Sequence, residues 1–303
     1  MSLAAGARGS TDAALVSVGV LSWCVGRGLK PLGHLAAEIA AIGETNLASR
    51  LTADDAPGEL SQIITRLNDL LARLEAAFAR EKGLTADVAH ELRTPLAGLR
   101  STLEVSLLKE RAAERYREAM DKSLAICLQM QRMVENLLEL ARADASQLEV
   151  ENESLDLVTL LRECWTAFAG RATERRLEVT LQLPESCPLA TDRTKACLIL
   201  NNIFDNAVTY ANTGGKITIA LHSENGQANL RVENTGSRIA ETDAERVFDR
   251  FWRGDAARTA DANERRYGLG LPLCRKLITL LGGSVSVSTT GGGTFAVSII
   301  LSP

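Results

Sequence analysis

Apolar residues recur every three or four positions through the first half of the chain and every second position through much of the second half. The first uncharged run, AALVSVGVLSWCVG from Ala13 to Gly26, is followed at once by Arg27 and Lys30. It is shorter than the ~20 apolar residues of a full bilayer span. By itself it fits a buried core helix, or the cytoplasmic end of a membrane helix with Trp23 at the interface and the basic residues inside. A signal peptide is disfavoured, because the charges follow the run instead of preceding it. Pro31 then suits a first helical position, and LGHLAAEIAAI has helical spacing. The polar connector GETNLASRLTADDAPG separates it from a second helical pattern beginning at Glu59. Leu60, Ile63, Ile64, Leu67, Leu71, Leu74 and Phe78 form a coiled-coil seam there, which requires a partner.

That pattern continues through Leu108, and the polar turn KERAAER leads into another helix carrying Met120, Leu124, Cys127, Met130, Val134, Leu137 and Leu138. One helical hairpin cannot bury two apolar stripes. Two hairpins paired as a four-helix bundle can, so a homodimer is expected. Beyond about Ser154, alternation predicts strands over 177–183, 216–221, 228–234, 284–288 and 294–300, with helices near 155–170, 192–211 and 268–281. The fold class is therefore α+β: a helical front followed by a mixed α/β domain.

Composition narrows the function. A chain of 303 residues with 46 % hydrophobic and 24 % charged content has material for about two domains. The net charge of −4 speaks against a nucleic-acid partner. Six cysteines show no CxxC pair and no zinc-like spacing with the three histidines, so they read as reduced, mostly buried thiols of a cytosolic environment.

The chemistry concentrates at HELRTP, from His90 to Pro95. Thr94 shares a helical face with His90. Pro95 lacks an N–H, leaves the Glu91 carbonyl unpaired and bends the helix beside the histidine. Glu91 can reach one ring nitrogen and fix the tautomer, which leaves the other as a nucleophile. Such an imidazole suits covalent transfer, in which a group is parked and passed on.

AHELRTPL closely resembles the H-box of bacterial two-component sensor histidine kinases, and further boxes of that family follow in order. The resemblance implies that His90 accepts phosphate, that Glu91 is its acid/base partner, and that Thr94 positions water when the family acts as a phosphatase. LNNIFDNAVTYA (200–211) places Asn202 and Asn206 four residues apart on one helix face. An amide oxygen suits Mg²⁺ that bridges to phosphates. The segment resembles the N-box of these kinases, part of the GHKL-type ATPase fold shared with gyrase and the Hsp90 chaperone. This implies metal and nucleotide contacts at Asn202, Asn206 and Tyr210. Thr209 stands where the family has a lysine. Asn202, being an amide, cannot act as a base, so transfer to a histidine fits better than hydrolysis.

VENTGSRIA (232–240) resembles the first glycine box, with Asn234 replacing the usual acidic adenine ligand, Gly236 retained and Arg238 at the second glycine. VFDRFWRGD (247–255) resembles the F-box: Phe248 and Phe251 anchor a lid running to about Tyr267, and Arg253 is placed near the phosphates. Among Arg258, Arg265 and Arg266, one is expected to make up for the charge missing at Thr209. In YGLGLPLCRKL (267–277), Gly268, Leu269, Gly270 and Leu271 form a glycine turn opening a helix, whose backbone N–H groups suit an anion. It resembles the second glycine box, with Arg266 in place of its first glycine. GGGTF (291–295) resembles the last box, with Thr294 near the phosphates.

The helix–connector–helix after the apolar run resembles a HAMP domain. Together the resemblances imply a tail over 1–12, the end of a transmembrane helix over 13–29, a HAMP-like domain over 30–82, a dimerisation and phosphotransfer domain over 83–148, and a catalytic ATP-binding domain over 154–303. They imply ATP and Mg²⁺ as ligands, a response-regulator receiver domain as partner, and a bacterial inner-membrane location with the catalytic portion in the cytoplasm. The departures at Thr209, Asn234, Arg238 and Arg266 keep a second reading open, a degenerate nucleotide-binding scaffold or phosphatase-dominant dimer.

Overall fold

The computed structural model describes residues 23, 32–33, 35–43, 46–52, 58–145, 147–224, 226–254, 267–290 and 293–302. The apolar run before residue 30 lies outside them except for Trp23. Among the described residues no helix is long and apolar enough to cross a membrane. The chain divides into two compact units, residues 1–89 and 90–303.

In the first unit, a helical segment at 35–41 and the opening of helix α1 (Gly58–Leu107) bury Leu35, Leu51 and Ile64 together, with Ile42, Leu67 and Leu71 packed around them. Asn68 clamps the connector. Its Oδ1 accepts from the Leu51 N–H at 2.9 Å and its Nδ2 donates to the Leu51 carbonyl at 3.0 Å. Arg50 pairs with Glu75 at 2.5 Å. Seam positions Ile63 and Leu74 stay exposed.

α1 stays helical through Pro95. It is followed by α2 (Ala113–Asp144), which takes in the last three residues of the expected turn. In the second unit the two faces of α2 meet different fates. Met133 and Leu140 are buried in the main core, whereas Leu124, Leu128, Val134 and Leu138 remain exposed. An exposed apolar stripe of this kind is what the expected dimer would cover.

The rest of the unit is a two-layer α/β sandwich. Strands β2 (Glu178–Gln182), β4 (Lys216–Glu224), β5 (Gln227–Thr235), β6 (Ser284–Thr290) and β7 (Thr294–Leu301) form one sheet in the order β2-β4-β5-β7-β6, all antiparallel except β2 with β4. Register lines up the apolar rows Ile219–Val232–Val297–Val287 and Leu221–Leu230–Ile299–Val285 on the buried face. The β4–β5 hairpin closes at Gly226, whose φ of +79° suits glycine. A small antiparallel pair, β1 (Glu153–Asp156) with β3 (Pro188–Thr191), has no counterpart in the sequence reading. Both strands have only four residues, too few to show alternation.

Three helices cover the sheet: α3 (Leu157–Glu174), α4 (Arg193–Tyr210) and α5 (Gly270–Leu280). Trp165, Phe168 and Phe204 lock α3 to α4 through edge-on ring contacts, Trp165 to Phe204 at 5.3 Å. Asp192 caps α4. Its carboxylate accepts from the N–H groups of Lys195 (2.9 Å) and Glu151 (3.1 Å) and from the Lys195 ammonium (2.5 Å). The end of α2 docks beside α5, where Asp144 pairs with Lys276 at 3.0 Å and with Arg250. Burial pushes the Asp144 carboxyl up, but hydrogen bonds and charge from Arg250 and Lys276 outweigh it and hold the group below the usual carboxylate range.

Candidate functional site

The two asparagines of α4 sit one turn apart on its upper face, above the buried side formed by Ile199, Ile203, Phe204 and Ala207. Asn202 donates its Nδ2 to the Leu198 carbonyl at 2.8 Å, which turns its oxygen towards the start of α5. A Cβ placed on Gly270 would lie 2.7 Å from that oxygen, so a side chain there would force Asn202 to turn or the two helices to part. Asn206 and Thr209 are half-buried on the same face, and Tyr210 is exposed.

One residue pair closes the adjoining wall. The Phe251 N–H donates to the Gly268 carbonyl at 3.0 Å, and Gly268 has φ +65° with no room for a Cβ beside the Trp252 carbonyl. Leu269 is buried and Leu271 packs on the core. Three of the expected lid arginines, Arg258, Arg265 and Arg266, lie outside the described residues.

The opposite wall is the end of β5. Asn234, only 3 % exposed, occupies the otherwise apolar face in register with Ile217 and Phe295. Its Nδ2 donates to the Thr235 carbonyl at 3.3 Å, which leaves Oδ1 as its acceptor. Beyond it, the N–H groups of Gly236 and Ser237 both donate to the Gly293 carbonyl, at 2.7 and 2.8 Å. Thr294 lies opposite Thr235 and shares a 2.6 Å hydrogen bond with the Thr290 hydroxyl. Asn234, Gly236 and Thr294 are thus gathered at one strand end.

Several residues outside the motifs hold this frame. Asn212 accepts from the Thr235 hydroxyl at 2.7 Å and donates its own N–H to the Thr235 carbonyl, which ties the end of α4 to the end of β5. Arg175 caps α4 by donating to the carbonyls of Val208, Thr209 and Ala211 at 2.6–2.9 Å. Arg171, also from α3, donates to Asp205 at 2.6 Å and to the Thr209 hydroxyl at 3.0 Å. Only Asp192 had a sequence signal, an aspartate just before a helical pattern. The others act across 23 to 38 positions of chain, where spacing is silent.

On α1, His90 and Thr94 are exposed. Glu91 is not: its Oε1 accepts from Arg253 at 3.3 Å, with both side chains 16 % exposed, and Leu92 packs on the core of the sandwich. Arg253, expected at the phosphates, therefore lies against the H-box. No cluster of three or more His, Cys, Asp or Glu side chains suited to a metal exists among the described residues. A concavity of about 480 Å³ lies between α2 and α5, lined by Leu140, by Phe248 and Arg250 of the F-box stretch and by Lys276.

A phosphoacceptor-type helix bearing an exposed histidine, docked against a GHKL-type sandwich, defines the class of protein. Residues 191–303 match the family described as histidine kinase-, DNA gyrase B-, and HSP90-like ATPase. Residues 80–146 match the His Kinase A (phospho-acceptor) domain, and 29–76 the PhoQ-like sensor protein HAMP domain. These three domains, in this order, are those of the sensor histidine kinases of two-component systems, which the chain resembles over most of its length.

The sensor protein CopS of Pseudomonas syringae pv. tomato is 32 % identical over 81 % of this chain and 50 % of its own length. The sensor histidine kinase CusS of Escherichia coli K12 is 29 % identical over 92 % of this chain and 58 % of its own length. The chain thus spans between half and three-fifths of these relatives. Two solved structures share the fold. Acinetobacter baumannii histidine kinase AdeS has a TM-score of 0.56 at 24 % identity, covering 70 % of this chain and 97 % of that one. Histidine kinase ThkA, solved in complex with response regulator protein TrrA, has a TM-score of 0.59 at 22 % identity, covering 82 % and 67 %.

Proposed function

We propose that this protein is an ATP-dependent protein-histidine kinase that phosphorylates its own His90 and passes the phosphoryl group to an aspartate of a response-regulator receiver domain. The observation that carries this reading is the ion pair between Glu91, beside His90, and Arg253, whose chain neighbour Trp252 packs against Gly268 of the glycine turn. It supports one body in which acceptor and nucleotide-binding motifs are within reach of each other.

The polar end of β5 suits an adenine: the buried Asn234 offers an acceptor in an apolar row, as an amino group needs. Asn206 suits a metal that arrives on phosphates, since one amide oxygen without a carboxylate cluster is too little to hold Mg²⁺ by itself. When bound there, Mg²⁺ supplies charge neutralisation of the phosphates. The N–H groups at the start of α5 and the Thr294 hydroxyl face the same anion. A lone pair of the His90 ring attacks the γ-phosphorus in line, the bond from phosphorus to the β,γ-bridging oxygen breaks, and ADP leaves with those electrons. Glu91 takes the ring proton, which requires it to exchange Arg253 for the imidazole. Catalysis is then chiefly positioning and charge stabilisation.

Dimerisation through the exposed stripe of α2, anchoring in the inner membrane through the residues before 30, and dephosphorylation of the regulator assisted by Thr94 belong to the same proposal. Incubation with γ-labelled ATP tests it. An acid-labile, base-stable label that disappears in His90→Gln is expected. Nucleotide binding without any label would instead favour the scaffold reading, for which the substitution at Asn234 speaks.

A further inference from the structure

We infer that Arg171, on helix α3 and outside every motif, is a phosphate-binding residue that serves the terminal phosphate of the nucleotide. The inference rests on the kinase reading above. A metal-loaded triphosphate still carries roughly two negative charges, and charge-assisted donors are what such a group recruits. The α4 face that meets it bears Asn202, Asp205, Asn206, Thr209 and Tyr210, with no cation among them. Arg171 brings one from the neighbouring helix. Its guanidinium donates to Asp205 at 2.6 Å and, with the other terminal nitrogen, to the Thr209 hydroxyl at 3.0 Å. Thr209 follows Asn206 by three residues, so the two side chains are neighbours on the helix surface. The charge therefore stands within about one side-chain length of the proposed metal ligand.

A plain strut between α3 and α4 would account for such a bond, but that task is already met one turn later. Arg175 binds three carbonyls at the end of α4, and the ring cluster of Trp165, Phe168 and Phe204 packs the same two helices. Arg171 also keeps 39 % of its side chain exposed, so further N–H groups remain accessible to a ligand. Asp205 holds the fork in a fixed orientation. That is the arrangement arginine uses for planar, multi-donor recognition of an oxyanion. The motif residue Thr209 thus gains, through space, a positive charge it does not itself carry.

The test is equilibrium binding of ATP, ADP and AMP, each with Mg²⁺, to the full chain and its variants, with folding followed by circular dichroism. Arg171→Met is expected to weaken ATP about tenfold or more, ADP less, and AMP not at all. Arg171→Lys should show the same order with smaller losses, and serves if the methionine variant does not fold. Adding Thr209→Lys to Arg171→Met should restore ATP affinity, a rescue that a merely structural arginine would not show. Equal loss for all three nucleotides, or none, would overturn the inference while leaving the kinase reading intact. A wild-type chain that binds no adenine nucleotide would overturn both.

Discussion

Glu91 and Arg253 are separated by 162 positions in the chain, and their side chains meet at 3.3 Å with both largely shielded from water. One is the neighbour of the expected phosphoacceptor histidine and the other lies within the F-box stretch, so the contact joins acceptor helix and sandwich through their motif residues. An ion pair in this setting is worth more than an exposed one, and removal of a single partner leaves the other charge poorly compensated.

Glu91→Gln and Arg253→Gln are each expected to destabilise the docked unit, and the double variant to cost less than the sum. A coupling energy of about 1 kcal/mol is expected from a double-mutant cycle read by urea unfolding. Strict additivity would show that the two side chains do not act on each other.

Acid should release the contact between α2 and α5. Asp144 has its carboxyl lowered below the ordinary range in the folded chain by Arg250 and Lys276 acting against burial. A lowered folded value means that the contribution is complete above the unfolded value, about 3.9, and is lost as pH falls through the folded one. Asp156 and Asp192 are lowered too, so overall stability falls in the same window, below about pH 4. The difference between wild type and Asp144→Asn isolates the single group: present at pH 7, it should vanish well below that window. A gap that persisted undiminished into strong acid would argue against this assignment.

Gly270→Ala is expected to leave a folded domain that has lost tight nucleotide binding. The added methyl would lie 2.7 Å from the Asn202 oxygen, so α4 and α5 must part or Asn202 must turn. Overpacking of this kind costs about 1–3 kcal/mol, which thermal unfolding will register. Wild-type melting and wild-type ATP affinity together would show that the gap yields freely.

Asn234→Asp should tighten ATP and sharpen its preference over GTP. The amide already presents an acceptor, because its nitrogen is used by the Thr235 carbonyl. A carboxylate there would add charge to the same bond, roughly doubling its strength. Competition between the two nucleotides measures the effect, and an unshifted ratio would mean that the residue does not read the base.

The sandwich was largely legible because its physics is local. Alternation at LEVTLQL and TFAVSII marked two strands now seen as β2 and β7, and the paired asparagines of α4 announced a polar helix face. What escaped were relationships that no period encodes. The brief pairing of β1 with β3, the Asn68 clamp on Leu51 and the reach of Arg171 to Thr209 join segments through space. Arg253 illustrates a different limit. The sequence marked it for the phosphates, but could not show that Glu91 holds its guanidinium.

Strand β7 follows every other strand in chain order, yet it lies inside the sheet between β5 and β6. During synthesis, β4 and β5 can zip into a hairpin early, while β6 has nothing to join until residues 294–301 leave the ribosome. Closure of the nucleotide-binding layer thus waits for a strand made after both of its neighbours. A chain broken off short of this strand would expose the inner edge of β5 and leave β6 unpaired, prone to be recruited by its neighbours.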